Sequence, residues 1–522
     1  MNRSWPTSYA IILLVAALTT SAHLGAQEQP QVEQSRKHHT RYRVLDIGTL
    51  GGPNSHMPLG AHILNNHGTF AVFAETPETD PEIATPDLCW DGDCIVTHAS
   101  RWGNGRLADL GTLATGWSSE SVWISENGMI AGNSQNGRFD PTGFWQQHGV
   151  LWKHERMIDL GTLGGGYDSL TRAVNSAGEV VGFSTTLIPD DHSMIDEIGL
   201  PFQFQTQAVR WKAGVIQDLG TLGGQDAMAL GINERGQIIG DSYTNDEPSP
   251  ACSFPGFTAL TTNSFLWERG RMVNLGSLGG TCMGVSPINN RGEVVGYSFL
   301  KGDAVFHPFL WEEGKLRDLG TGGGTFGFAG SLNAEGDAVG WVTIPSNDNV
   351  IHATLWARGR ITDLKALGPD ECSLPFGINS QRQVIGTSSG TCDFNDRPSL
   401  RAFLWEPDDG MVDLNTLISP TLGLRLRNVA TINNRGEMAA YATRPNGELR
   451  TVLLIPCDQA DGNDQDCEDA EQDVNMNLTG LGSTALSVEN SKPSRLNPRD
   501  LLRGLIGRSL GHNILVPAPR SE

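Results

Sequence analysis

The sequence is short of charge, and shorter still of positive charge. Of its 522 residues 18% are charged, against about 25% in an average soluble domain. Lys and Arg number 37 against 59 Asp and Glu, a formal net charge of −22. Nucleic-acid affinity comes mainly from cationic side chains neutralising phosphates, so no nucleic-acid partner is expected. Low charge with 38% hydrophobic residues excludes a wholly disordered chain, which needs the reverse balance. Long apolar runs are missing too. The run at Ile11–Leu18 is far below the ~20 residues that span a bilayer, and no later segment approaches that length, so no transmembrane segment is expected in the mature chain. The eight cysteines include no C-x-x-C pair, which removes the usual paired spacing of a zinc site. Between residues 42 and 456 no stretch long enough for a helix keeps a helical period.

What is abundant is glycine, 63 residues, well above the usual ~7%. The N-terminus carries Arg3, then the short apolar run, then small residues. That pattern predicts a signal peptide over 1–26, with cleavage after Ala22 or, preferred, after Ala26; an uncleaved anchor is the alternative. Residues 27–41 read as a linker. No Cys follows the cleavage region, so a lipid anchor is not expected, and the mature chain should be secreted, to the periplasm or beyond. Cysteine usage agrees with an oxidising compartment. Proximity suggests Cys89–Cys94, Cys372–Cys392 and Cys457–Cys467, leaving Cys252–Cys282 by elimination, although eight cysteines allow many other connectivities.

Internal repetition decides the architecture. A phrase close to Asp-Leu-Gly-Thr-Leu-Gly-Gly starts at Asp46, Asp109, Asp159, Asp218, Asn274 and Asp318, with shortened forms at Asp363 and Asp413. A second phrase, Ile-Asn-x-x-Gly-x-Val-Val-Gly-x-Ser, has its Asn at 65, 175, 233, 289, 333, 379 and 433, with Ser125 standing in once. A third, His-Ala-Phe-Leu-Trp in outline, ends at Trp102, Trp152, Trp211, Trp267, Trp311, Trp356 and Trp405, with a degenerate copy at Arg450–Leu454. The third phrase is short, aromatic and followed by a turn, hence a strand. Asn-x-x-Gly carries the residue preferences of a type I turn, joining two more strands, and the Asp-Leu-Gly phrase ends a fourth. Arg382 replaces the turn glycine in the seventh copy, so that turn should be strained or different.

Four short antiparallel strands per unit indicate a blade of a β-propeller. The fold expected is therefore all-β, with eight blades preferred to seven plus an irregular unit, over residues 42–456. The array begins with an unpartnered Asp-Leu-Gly strand, Arg41–Ile47, and ends with an unpartnered Trp-type strand, Arg450–Ile455. Pairing the two closes the ring and removes its open edges. The three phrases together resemble the bacterial extracellular HAF-repeat proteins over roughly residues 42–456. The resemblance implies secretion and repeated β-structure, and no defined activity. Only His98-Ala99 and His352-Ala353 keep the literal His-Ala pair.

Strand parity puts the tight turns after Trp and after Asn on one face of the disc. The Gly-rich exits and the loops before the Trp phrase fall on the other. The longest inserts, Glu75–Thr97, Thr185–Thr206 and Tyr243–Thr262, lie on that second face, where binding is expected because loops on a rigid scaffold carry function. The repeated Trp side chains should pack between blades, and the repeated Asp and Asn should cap turns. His98, His148, His307 and His352 share a repeat position, but Gln207, Asn263, Arg401 and Arg450 hold it elsewhere, which argues against a metal ring. Gly386–Gly390 fits G-x-S-x-G without the strand-to-helix turn of a nucleophile elbow. Gly322–Gly327 fits G-x-G-x-x-G without a βαβ setting. Both are read as repeat glycines.

After the array, Cys457 and Cys467 bracket an acidic loop, 457–473, in which Asp458, Asp461, Asn463, Asp464 and Asp466 are oxygen ligands suited to Ca²⁺. A solvated acidic loop without cofactor is the simpler reading. Residues 474–522 read as a linker and a short amphipathic helix from Asn497, which can dock on the propeller, meet a partner or membrane surface, or stay disordered. The leading functional expectation is a non-catalytic secreted scaffold that binds a polysaccharide or a surface protein, with Trp90, Phe202 and Phe204 as candidate contacts. One alternative is an extracellular glycoside hydrolase or lyase using two of Asp91, Asp93, Asp190, Asp191, Asp196 and Glu197, which requires a suitable carboxylate separation. A structural envelope protein is the other.

Overall fold

Each repeat becomes four antiparallel strands because its phrases alternate buried side chains with turn signals. In the fifth unit these are Gly279–Ile288, Val294–Leu300, Phe306–Glu312 and Lys315–Asp318. The turn between the first two is Asn289-Asn290-Arg291-Gly292, whose glycine sits at φ +86°, a conformation that favours Gly. Arg382 takes the same left-handed conformation at φ 62°, and its Nε donates to Asp337 at 2.5 Å. The seventh turn is therefore not rebuilt. It keeps the geometry at a local backbone cost.

The computed structural model describes residues 39–457 apart from 59–60, 80–94, 115, 142, 144, 195–203, 254–257, 395 and 397–398. The expected signal peptide, the acidic loop and the C-terminal helix fall outside the described residues. Those described form eight four-stranded sheets, so the eight-bladed propeller expected from the repeats is the observed fold. Ring closure is also as expected: Tyr42–Asp46 pairs antiparallel with Leu449–Pro456, Tyr42 opposite Pro456 and Asp46 opposite Val452. That strand is the fourth of the last blade, which otherwise holds Arg425–Ile432, Met438–Thr443 and Leu449–Pro456.

First strands are buried and approach one another across the blade seams, while fourth strands such as Arg156–Asp159 and Arg271–Asn274 form the exposed rim. Most first strands carry a bulge, for example between Ala229 and Gly231. There the repeated Val-Val-Gly phrase is explained: a Cβ on Gly240 would overlap the Met228 carbonyl oxygen of the bulged neighbour. The Trp position fills the seams. Trp152, Trp211, Trp267, Trp311 and Trp356 are buried, and Trp152 Nε1 and Trp356 Nε1 donate to Leu110 O and Gly320 O of the preceding blade, each at 3.0 Å.

Two of the expected disulfides are present, Cys252–Cys282 and Cys372–Cys392, with Cα atoms 5.4 and 5.1 Å apart. The first ties an insert loop of the fourth blade to the first strand of the fifth. Cys457 is also disulfide-bonded; Cys467, its expected partner, and Cys89 and Cys94 fall outside the described residues. Among the described residues no helix is long and apolar enough to cross a membrane.

Candidate functional site

The repeated polar residues are consumed by the scaffold. His98, His148, His307 and His352 place Nδ1 2.8–3.1 Å from Asp109, Asp159, Asp318 and Asp363, linking the third strand of each blade to the end of the fourth. Three of the four replacements keep a polar partner there: Asn263 donates to Asn274 at 3.2 Å, and Arg401 and Arg450 lie 3.5 and 3.7 Å from Asp413 and Asp46, whereas Gln207 Nε2 donates to Gln225 O at 2.9 Å. The same carboxylates accept from a backbone N–H two residues on, as in Gly111 N to Asp109 at 2.8 Å. Burial raises Asp109, Asp159 and Asp318, but the bonds from histidine and glycine outweigh it and leave them below the usual carboxylate range.

The turn asparagines do two jobs at once. Asn289 Oδ1 accepts from Arg291 N and Glu293 N at 3.0 and 3.1 Å, as turn capping predicts. Its Nδ2 also donates to Asn333 O of the next blade at 3.1 Å. The same link runs from Asn175 to Asn233, Asn233 to Asn289, Asn333 to Asn379, Asn379 to Asn433, and across the closure from Asn433 to Asn65. Asn65 reaches Ser125 O. Ser125 itself cannot reach on, and Asn127 Nδ2 does so instead, to Ser176 O at 2.7 Å. The result is a circumferential hydrogen-bonded belt. In the false nucleophile motif, buried Ser388 accepts from Leu367 N and donates to Cys372 O, so its hydroxyl is structural.

Non-repeated features therefore locate the site, and on the insert-bearing face they gather on the second and third blades. Phe139, 46% exposed, stacks on Trp145 with centroids 4.1 Å apart and rings inclined by 24°. Trp117, Leu187 and Ile188 are exposed on the same face. Half-buried Tyr167 packs against Phe204 at 4.9 Å. The other exposed large apolar residues, Ile158, Val215, Val273 and Ile361, belong to rim strands. Phe204 is buried, so it supports Tyr167 instead of presenting its own ring. Trp90 and Phe202 lie outside the described residues.

Carboxylates sit beneath this surface in two equivalent seams. Asp226, buried, accepts from Met194 N and Thr206 N at 2.8 and 2.9 Å. Burial, and secondarily the hydrogen bond and charge of Asp190, push it up to about 8. Asp168 accepts from Gln147 N at 2.8 Å, and burial followed by the Asp140 charge pushes it up to about 8. Asp190 is thus buried and held by Asp226 and by His192 N at 2.8 Å. It is not an open catalytic carboxylate. Asp191 is exposed. Asp91, Asp93, Asp196, Glu197 and the calcium candidates Asp458, Asp461, Asn463, Asp464 and Asp466 lie outside the described residues.

A cavity of about 610 Å³ opens on the opposite face, in the seam between the first two blades. Asn65, His67, Arg101, Glu126, Met129 and Glu155 are among its walls. Its cause is local. Elsewhere a long side chain from the preceding blade covers the turn glycine, as Arg435 covers Gly68 and Arg291 covers Gly336, while nothing lies within 4 Å of a Cβ on Gly128. The residue after the preceding turn glycine is Glu, Gln, Met or Asp in the other copies and Thr69 here. Glu126 is held by Asn66 N and Nδ2 at 3.1 and 2.9 Å, with His62 Nε2 3.7 Å away. Binding is expected on the insert-bearing face, and nothing in the sequence points to this cavity on the other one.

No protein-family model and no curated protein matches the chain. Solved structures to which the chain is similar include the dipeptidyl peptidase 4 of Porphyromonas gingivalis (TM-score 0.43, 10% identity, 78% of this chain and 60% of that one). Others are the acylaminoacyl peptidase of Pyrococcus horikoshii (0.39, 11%, 76% and 59%) and the sialidase of Trypanosoma rangeli (0.27, 11%, 77% and 54%). The chain spans about three fifths of each peptidase. Likeness at this level carries no argument about activity.

Proposed function

We propose that this chain is a secreted binding propeller of the HAF-repeat type, and that it holds a polysaccharide against the aromatic surface of its second and third blades. The observation that carries the reading is the Phe139–Trp145 stack, with Phe139 exposed and Trp145 half-buried, on the same face as exposed Trp117, where the repeat does not call for aromatic residues. Flat aromatic rings suit the apolar faces of sugar units. The disulfides fit an oxidising compartment, and a rigid closed ring keeps the loops preorganised.

The test is retention of the mature protein on a panel of insoluble polysaccharides and cell walls, with released reducing ends assayed in each supernatant. Phe139→Ala with Trp145→Ala should lose most of the retention while leaving the melting temperature within a few degrees. Unchanged retention by the double variant refutes this surface as the site. Release of reducing ends by the unmodified protein refutes the non-catalytic reading.

A further inference from the structure

The third-to-fourth strand turn has two residues in each of the first six blades, such as His154-Glu155 and Glu313-Gly314, but three in the seventh: Pro407-Asp408-Asp409. The longer turn brings Asp409 beside Glu406, and the chain leading into the ring-closing strand brings His39 to the same place. The ligand atoms of His39, Glu406 and Asp409 all lie within 4.8 Å of one another, each residue half-buried.

Geometry favours a shared ion over a direct bond. His39 Nδ1 stands 3.4 Å from Glu406 Oε2, longer than the 2.7–3.2 Å of a good N···O hydrogen bond. Two ligands of one tetrahedral ion with bonds of about 2.0–2.1 Å keep about 3.3–3.4 Å between them. The other oxygen of Glu406 accepts from Gln383 Nε2 at 2.8 Å, the outer-shell contact that fixes a ligating carboxylate. One imidazole and two carboxylates suit Zn²⁺, with water in the fourth position. Calcium, which takes six to eight oxygens, fits poorly.

We propose that His39, Glu406 and Asp409 bind a zinc ion that pins the N-terminal chain to the seventh blade. The placement gives the ion a mechanical role. His39 lies three residues before Tyr42–Asp46, the strand that closes the ring, and Tyr42 N donates to Leu417 O at 2.9 Å. A bridge there restrains the closing strand at its free end, and an ion that binds only the folded form stabilises closure by mass action.

The test uses the full chain, stripped with a chelator and titrated with zinc chloride in a calorimeter, with calcium and magnesium chlorides for comparison. Hydrogen exchange of residues 42–46 is read with and without zinc. The expected result is a zinc site that Glu406→Gln and Asp409→Asn each weaken at least about tenfold, and zinc-dependent slowing of exchange in the wild type that both variants lose. No zinc binding, or wild-type affinity in both carboxylate variants, overturns the site; the latter assigns binding to other side chains. Zinc binding without slowed exchange overturns the restraint on the closing strand. Failure of this test leaves the polysaccharide reading untouched, because the two surfaces share no residue.

Discussion

Replacing Asn289 by Ala removes four hydrogen bonds from a residue that is 8% exposed. Two are accepted from Arg291 N and Glu293 N, one is donated to Asn333 O, and one is donated to Glu293 Oε2 at 2.6 Å. Losing a side chain that caps backbone N–H groups costs about 0.5–2 kcal/mol. An orphaned buried acceptor adds about 1–3 kcal/mol. Water can reach part of the turn face, so the expected loss is about 2–4 kcal/mol. Asn289→Asp keeps the oxygen that caps the turn but sets a carboxylate oxygen against Glu293 Oε2 and Asn333 O, where the amide had donated, and should cost at least as much as Ala. If the belt is continuous, Asn433→Ala at the closure costs as much as Asn289→Ala in the interior. The assay is urea unfolding followed by tryptophan fluorescence, with exposed Lys315→Ala as control, where a surface change should stay within about 0.5 kcal/mol. A loss for Asn289→Ala no larger than the control refutes the load assigned to the belt.

Stability should also fall as pH rises from about 4 to 8. Burial holds Asp168 and Asp226 up to about 8, and Glu120 and Asp241 up to about 7. The folded form therefore keeps protons across a window in which the unfolded chain has released them. Asp109, Asp159 and Asp318, held low in the folded state, act oppositely: their stabilisation is present above about pH 4 and is lost as pH falls. Thermal melts should peak in the mildly acidic range, and Asp168→Asn with Asp226→Asn should flatten the alkaline side; a melting temperature level from pH 5 to 8 contradicts this. Removing the 20-residue Cys372–Cys392 link as paired Ala substitutions should cost about 2–4 kcal/mol, measured as a lower urea midpoint.

The strands, the blade count and the closure were legible because each phrase repeats with its own periodicity and turn chemistry, and because the two terminal strands are complementary. The His–Asp links were legible in principle. Asn263 accompanies Asn274, and Arg401 and Arg450 accompany Asp413 and Asp46, so these three substitutions keep a polar partner, while Gln207 turns to Gln225 O. The belt was not legible, since it joins each asparagine to a carbonyl one whole unit away, and capping already accounted for that residue. The cavity depends on the short side chain of Thr69, whose shortness matters only once the seam it should fill is known. The aromatic stack was not legible from loop length, which singles out the long inserts, whereas Phe139 and Trp145 flank a short one.

Closing a ring with its two ends sets a timetable for folding. Seven blades are built from contiguous sequence and can form as the chain emerges. The eighth cannot, because Tyr42 must wait for Pro456. Until then one blade lacks its outer strand and leaves an unpaired edge, the kind of surface on which chains mispair. Contacts so distant in sequence also form slowly. The last step of folding is thus the joining of the first residues to the last, and a chain cut before residue 452 would lose every partner of Tyr42–Asp46, keep seven blades and fail to close.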